Sequence, residues 1–250
     1  MELITLAHGS GGALTHRLIE EYLKPAFSLT QLNDAALIHS ASVGRLAVTT
    51  DSFVVSPIFF PGGDIGKLAI NGTVNDLAMV GARPLYLTVG LIIEEGFSFY
   101  HLKTILASMS NAATLANITI IAGDTKVVEH GKADGLFINT TGIGVLEDDV
   151  YFNPSSIQDG DKVILSGPIG VHGIAIMAQR HNLTFNPPLL SDTAPLNLLV
   201  QDMMAFKDDI HAMRDPTRGG LATTLKEIAT AAALYIEVYE DNIFIPKPVQ

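Results

Sequence analysis

The sequence predicts a mixed α/β protein of two domains, and three observations carry that expectation. Strand-like runs rich in valine, isoleucine and threonine alternate with stretches of helical spacing from end to end. The first half holds what reads as a hairpin, with Val127-Val128 and Leu136–Ile143 as arms and Glu129–Asp134 as turn, so a purely parallel sheet is not expected. Near Asn153–Gly160 the composition turns polar with Pro, Ser and Gly, which divides residues 1–152 from 153–250.

The elements follow in order. Residues 3–7 read as a strand, Gly9-Ser10-Gly11-Gly12 as a loop, and a helix starts near Ala13 and ends at Pro25. Leu46–Val55 alternates as a strand that puts Asp51 on one face with Ala47, Thr49 and Phe53. Pro61-Gly62-Gly63-Asp64 is a turn, Asp64 caps the helix after it, and Gly81 and Pro84 stop that helix beyond Val80. Pro84–Ile93 is nearly all apolar, like a strand covered on both faces. Ser98 is placed to cap a helix that buries Phe99, Leu102, Ile105, Leu106 and Met109. Ile118–Ala122 reads as a short buried strand that delivers Gly123-Asp124. In the second half Lys162–Ser166, Ile210–Arg214 and Tyr235–Tyr239 read as strands, and Ile174–Arg180, Leu196–Phe206 and Gly220–Ala233 as helices.

Composition bounds the function. Apolar residues make up 48% of the 250 and charged ones only 16%, which supports a buried core rather than disorder. A net charge of −11 disfavours nucleic acid as a partner, although a local cluster of metal and basic groups can still hold a nucleotide. Cysteine is absent, which excludes disulfides and thiolate chemistry within these residues and fits a reducing cytoplasm. Met1–Ile4 does not read as a signal peptide. The longest apolar stretch, around Leu85–Ile93, is too short to span a membrane. The histidines form no HExxH pair, and Ser10 and Ser52 have no partners at triad spacing, so zinc and hydrolase chemistry lack support.

Four short acidic motifs look like parts of one site: Thr50-Asp51-Ser52, Asn75-Asp76, Gly123-Asp124-Thr125-Lys126 and Asp215-Pro216-Thr217-Arg218-Gly219-Gly220. Carboxylates at the ends of regular elements can hold a hard cation, and glycines at helix N-termini can hold the phosphates it bridges. Asp51 on a small, partly polar strand face needs a cation or strong donors if it is buried; an exposed strand end is the plain alternative. Lys67, Asn71 and Asn75 fall on one helical stripe with Asp76 beside them. That stripe suits phosphate oxygens and a metal, and equally a solvated helix face. Arg218 offers a planar fork for a phosphate, with Thr217 or Asp215 as helix cap. The turn at Gly11 and Gly12 suits an anion, but it has neither the Walker nor the dinucleotide spacing.

In order, these segments resemble the HypE family of hydrogenase maturation proteins. That family lies within the superfamily of aminoimidazole ribonucleotide synthetase, selenophosphate synthetase and thiamine-monophosphate kinase. Matching stretches are His8–Gly12, Thr50–Ser52, Phe59–Gly63, Ile65–Ile70, Asn75-Asp76, Gly123–Val128, Leu136–Thr140 and Arg214–Gly220. Phe59-Phe60-Pro61-Gly62-Gly63 and Gly123-Asp124-Thr125-Lys126-Val127-Val128 favour HypE over the other branches.

The resemblance implies a two-domain aminoimidazole ribonucleotide synthetase-like fold with mixed sheets, whose N-terminal domains pair in a homodimer around a shared β-barrel. It implies ATP and Mg2+, with Asp51, Asp76 and Asp124 at the metal. Gly11, Gly12, Lys67, Asn71, Asn75, Thr125 and Arg218 would lie at the nucleotide. Lys126 would take the amide proton, provided the closed site favours its neutral form. The implied activity is that of a carbamoyl dehydratase. HypF carbamoylates a C-terminal cysteine, ATP activates the carbamoyl oxygen, and loss of phosphate leaves a thiocyanate. Its cyanide passes to iron on a HypC–HypD complex on the way to a nickel–iron hydrogenase. The family pattern continues into an Asn-Glu-Gly stretch and a Pro-Arg-Ile-Cys-type tail, whereas this sequence stops at Pro248-Val249-Gln250. Nucleotide binding without full turnover is therefore expected of it. A small-molecule kinase such as thiamine-monophosphate kinase and a non-catalytic maturation scaffold are the alternatives.

Overall fold

A computed structural model describes residues 12–18, 20, 36–40 and 44–250. The expected strand at 3–7, Gly9 to Gly11 and the helix stop at Pro25 lie outside these. In chain order the elements are α1 (Ala13–Leu18), β1 (Ala36–Ser40), β2 (Gly44–Phe53), β3 (Phe59–Phe60), β4 (Gly63–Asp64), α2 (Ile65–Met79), β5 (Arg83–Glu94), α3 (Phe99–Leu115), β6 (Thr119–Val128) and β7 (Leu136–Leu146). The second half contributes α4 (Val171–Arg180), α5 (Asn197–Met203) and α6 (Gly220–Ala232), with short 3-10 turns between them.

Five strands form one sheet in the order β1-β2-β7-β5-β6, in which β5 and β6 are parallel and the other neighbours antiparallel. The mixed sheet agrees with the sequence. The expected hairpin does not form, because β5 lies between β6 and β7. In that slot β5 hydrogen-bonds along both edges, and α3 makes the crossover that a parallel β5–β6 pair requires.

Helices α2 and α3 cover one face of the sheet. Asp64 starts α2: its Oδ1 accepts from the backbone N–H of Gly66 at 2.7 Å and of Lys67 at 3.0 Å. Gly81 ends it at φ +77°, where a side chain would be strained. Ile65, Ile70 and Val74 of α2 pack with Phe53, Leu87, Leu136 and Ile138 of the sheet and with Ile105 and Met109 of α3. The hydroxyls of Thr73 and Thr140 hydrogen-bond inside this layer.

Three expectations about burial change. Pro84–Ile93 is covered on one face only, because Tyr86 and Ile92 point to an open face. The strand at Ile118–Ala122 runs on through Gly123-Asp124 as β6, an exposed edge whose Ile121 and Val127 lie open. Phe99 is 88% exposed and Leu106 is also exposed, so the buried side of α3 is Ile105, Met109, Ala112 and Ala113 instead. Ser98 stands at the N-cap of α3 but its side chain makes no capping bond. In the second half, Lys162–Ser166, Ile210–Arg214 and Tyr235–Tyr239 carry no ladder among the described residues. A strand pattern needs a paired neighbour to become a strand.

Helices α2 and α3 approach closely at Gly66. A Cβ there would sit 2.8 Å from the carbonyl oxygen of Ile105 and 2.7 Å from Met109 Cγ. Alanine gains about 1 kcal/mol over glycine in helix propensity. A clash with backbone cannot be relieved by a rotamer change and costs about 1–3 kcal/mol. Gly66→Ala is therefore expected to lower stability, read as an earlier urea midpoint; a later midpoint would show that α2 and α3 separate freely.

Candidate active site

Strand β2 delivers Asp51 on the face that meets α2. Its face-mates Ala47, Thr49 and Phe53 are buried, as the alternation requires, and Asp51, between Thr49 and Phe53, is half-buried. The Asp51 carboxylate accepts the Ser52 N–H at 2.7 Å. A Cβ added to Gly72 of α2 would lie 3.8 Å from Asp51 Oδ2, so the small residue keeps room beside the carboxylate. Thr49 Oγ1 donates to Asp76 Oδ2 at 2.9 Å, which ties the last turns of α2 to the same strand.

The second domain brings a partner carboxylate, Asp215. Burial pushes the Asp51 carboxyl above its ordinary pKa, while the Ser52 N–H and the Arg218 guanidinium pull it back. Burial likewise raises Asp215; Arg214 opposes that rise and the charge on Asp51 adds to it. The charge on Asp51, in the first half of the chain, thus reaches Asp215 in the second. Thr217 N–H closes onto the Asp215 carbonyl at 3.0 Å, and Gly220 N–H onto the Thr217 carbonyl at 3.0 Å. Gly219, at φ +86°, is the N-cap of α6, and no side chain caps it. Neither Thr217 nor Asp215 takes the expected capping role. The start of α6 adds positive potential beside Arg218.

Two desolvated carboxylates, with Asp76 held nearby through Thr49, suit a hard divalent cation that offsets their repulsion. Among the described residues no three carboxylates or imidazoles converge closely enough to hold a metal by themselves, so a cation here would draw further oxygens from ligand or water. Asp124 is not brought to this place. It lies on β6, three strand spacings from β2 and roughly 14 Å away. By register it is on the opposite face from Asp51, aligned with Gly90 and Asn139. Lys126 pairs with Asp124 at 3.6 Å, and both side chains are 72% exposed. Thr125, between them, is also exposed.

The helical stripe makes contacts within the chain. Asn71 Nδ2 donates to Thr193 Oγ1 at 3.1 Å, and Asn75 Nδ2 to the Ala194 carbonyl at 3.1 Å. Asn75 Oδ1 also accepts the Leu196 N–H at 2.8 Å. Lys67 Nζ donates to the Gly62 carbonyl at 2.9 Å. The stripe thus fastens a strap, residues 191–196, across α2 and joins the two halves. Pro61 accepts the Ser191 N–H at 2.8 Å, and a Cβ on Gly62 would strike that nitrogen at 2.7 Å. The Pro61-Gly62-Gly63 turn is the seat of the strap. Lys67 and Asn71 also line a cavity of about 690 Å³ between α2, α3 and Pro195, on a side of α2 separate from Asp51. Gly11 lies outside the described residues, and Gly12 precedes α1, where its carbonyl accepts the His16 N–H at 3.1 Å.

Sequence reasoning counted the Asp215 motif among the parts of the site but gave Asp215 a capping role and no place at the metal, and it assigned Thr49 no role. Thr49 gave a signal only through sharing a face with Asp51.

The fold and the paired acidic motifs define an AIR synthase related protein: residues 32–146 match the N-terminal domain of that family and residues 158–250 its C-terminal domain. Carbamoyl dehydratase HypE of Bradyrhizobium diazoefficiens is 50% identical, over 96% of this chain and 70% of that protein. A HypE–HypF complex superposes with a TM-score of 0.88 at 48% identity, covering 95% of this chain and 76% of the other. HypE in complex with ATP superposes at 0.81 and 46% identity, covering 99% and 74%. The chain belongs to the HypE family of carbamoyl dehydratases.

The raised carboxyls set a pH dependence. Between the ordinary 3.8 and the raised value, the folded state holds protons that the unfolded chain has released. Stability therefore falls as pH rises through that window, and the cost persists above it. Asp215→Asn removes the cost, so at pH 7 it is expected to raise the thermal midpoint and to weaken the stabilisation that magnesium gives the parent. A midpoint below the parent's with an undiminished magnesium effect would show that Asp215 is not desolvated beside Asp51.

Proposed function

We propose that this chain binds ATP and Mg2+ at the Asp51–Asp215 pair and carries out the ATP-dependent dehydration of an S-carbamoyl-cysteine to a thiocyanate. Membership of the HypE family supplies the reaction. The single observation that supports its place is the pair of desolvated carboxylates, one from each domain, with Arg218 alongside. Asp51, Asp76 and Asp215 would hold the cation, and Arg218 a phosphate. Mg2+ held there would offset charge on the transferring group.

The reaction needs a better leaving group than an amide oxygen. The carbamoyl oxygen attacks the γ-phosphorus, forming a C–O–P link as the bond to ADP breaks. Loss of both nitrogen protons and cleavage of the C–O bond then release phosphate and leave C≡N on sulfur. Arg218 and the positive start of α6 suit the charge that develops on the phosphoryl oxygens. These 250 residues contain no cysteine, so the thiol that carries the carbamoyl group is not among them.

Asp124 and Lys126 keep their proposed roles as cation ligand and base only in an assembly that covers the open face of the sheet. A homodimer built on that face would bury Tyr86, Ile92 and the β6 edge, which a single chain leaves to water. HypF, found with a relative of this chain, is the proposed carbamoyl donor, and a HypC–HypD complex the proposed cyanide acceptor. Among the described residues no helix is long and apolar enough to cross a membrane. A cytoplasmic setting is proposed with these partners.

Calorimetry with ATP and magnesium tests the reading. Asp51→Asn is expected to abolish magnesium-dependent binding, and Arg218→Ala to weaken it about tenfold or more, the loss of a charge-assisted contact. Binding unchanged in both variants would remove the site from this cleft.

A further inference from the structure

Glu227, in the second turn of α6, joins two basic side chains from distant parts of the chain. Its Oε2 lies 3.3 Å from Nη2 of Arg214, and its Oε1 lies 3.2 Å from Nε2 of His16 in α1. Each carboxylate oxygen takes one partner, so the two contacts do not compete. A single ion pair at this exposure contributes little to stability. Its geometric effect is larger, because it ties together three segments: α1, the turn that leads to Asp215, and α6.

Arg214 precedes Asp215 directly, and its charge opposes the rise in that carboxyl. A guanidinium held by Glu227 keeps that influence at a fixed distance. His16 is hydrogen-bonded through its backbone to Gly12, so the same carboxylate also anchors the first turn of α1 and the end of the glycine run. Glu227 does not belong to the Asp51–Asp215 pair, and the proposed reaction assigns it no step.

We propose that Glu227 is a positioning residue: by gripping Arg214 and His16 together it fixes α1 against the Asp215 turn and sets the geometry in which ATP and Mg2+ are bound. This rests on the nucleotide site proposed above. It acts through its neighbours and touches no reacting atom.

Two measurements on the whole chain test it. In calorimetry, Glu227→Ala is expected to weaken binding of ATP with magnesium about tenfold, a coupling of ordinary size, and Glu227→Asp to recover part of that loss. In limited trypsin digestion, cleavage after Arg17 in α1 is expected to speed up several-fold in Glu227→Ala and in His16→Gln. The double variant should add nothing further, because both remove one tether. The thermal midpoint separates this from general unfolding; if Glu227→Ala does not fold, His16→Gln carries the digestion test. Parent-like cleavage at Arg17 in both variants overturns the tether, whatever the nucleotide does. Faster cleavage with unchanged ATP affinity overturns the positioning role. A parent chain that binds no ATP defeats the proposed function instead, and the digestion still decides the tether.

Discussion

Helix α2 is held on two sides at once, and the rest of the molecule depends on that. One side packs Ile65, Ile70 and Val74 into the sheet and α3, where the Thr73–Thr140 bond satisfies the polar groups that the layer buries. The other side presents Asn71 to the Thr193 hydroxyl and Asn75 to the backbone of Ala194 and Leu196 in the strap. Asp64 fixes where the helix begins, and so fixes the angular position of every residue after it. Slip the start by one residue, and the amides leave the strap while Asp76 leaves Thr49.

The candidate site inherits its geometry from this wedge. β2 carries Asp51 along the sheet, α2 carries Asp76, and the second half carries Asp215. Their charges oppose one another in a partly dry setting, which by itself is unfavourable. A folded chain that keeps such a pair has a place where a cation gains free energy. Positive charge already gathers there in Arg214, Arg218 and the start of α6, so a polyanion meets donors as well as a metal. Arg214 and Arg218 thus offer a polyanion local donors that a net charge of −11 alone does not suggest.

The sheet has one face that the helices leave uncovered. Tyr86, Ile92, Ile121 and Val127 stand on that face or along the β6 edge. Asp124 and Lys126 belong to that region and not to the cleft. Two motifs that read alike in sequence, an acid at a strand end with small residues beside it, therefore have different surroundings. Asp51 is central enough to lose water, and Asp124 is not.

Much of this was legible in the sequence, where a pattern acts over a few residues. The Asp64 cap, the span and stop of α2, the inward row Ala47-Thr49-Asp51-Phe53 and the start of α6 each follow from local spacing, because helix and strand periods and capping bonds are short-range. Pairing is different. Which strand lies beside β5, whether Phe99 is covered, and whether Tyr235–Tyr239 finds a ladder depend on chain segments far apart in sequence. The same holds for the Asn71–Asn75 stripe, whose amides bond residues more than a hundred positions on. Residue type and spacing determined which groups can bind a cation and a phosphate; only the tertiary structure decided that Asp215 joins Asp51 while Asp124 stays apart, since convergence is a property of packed elements and not of any local window.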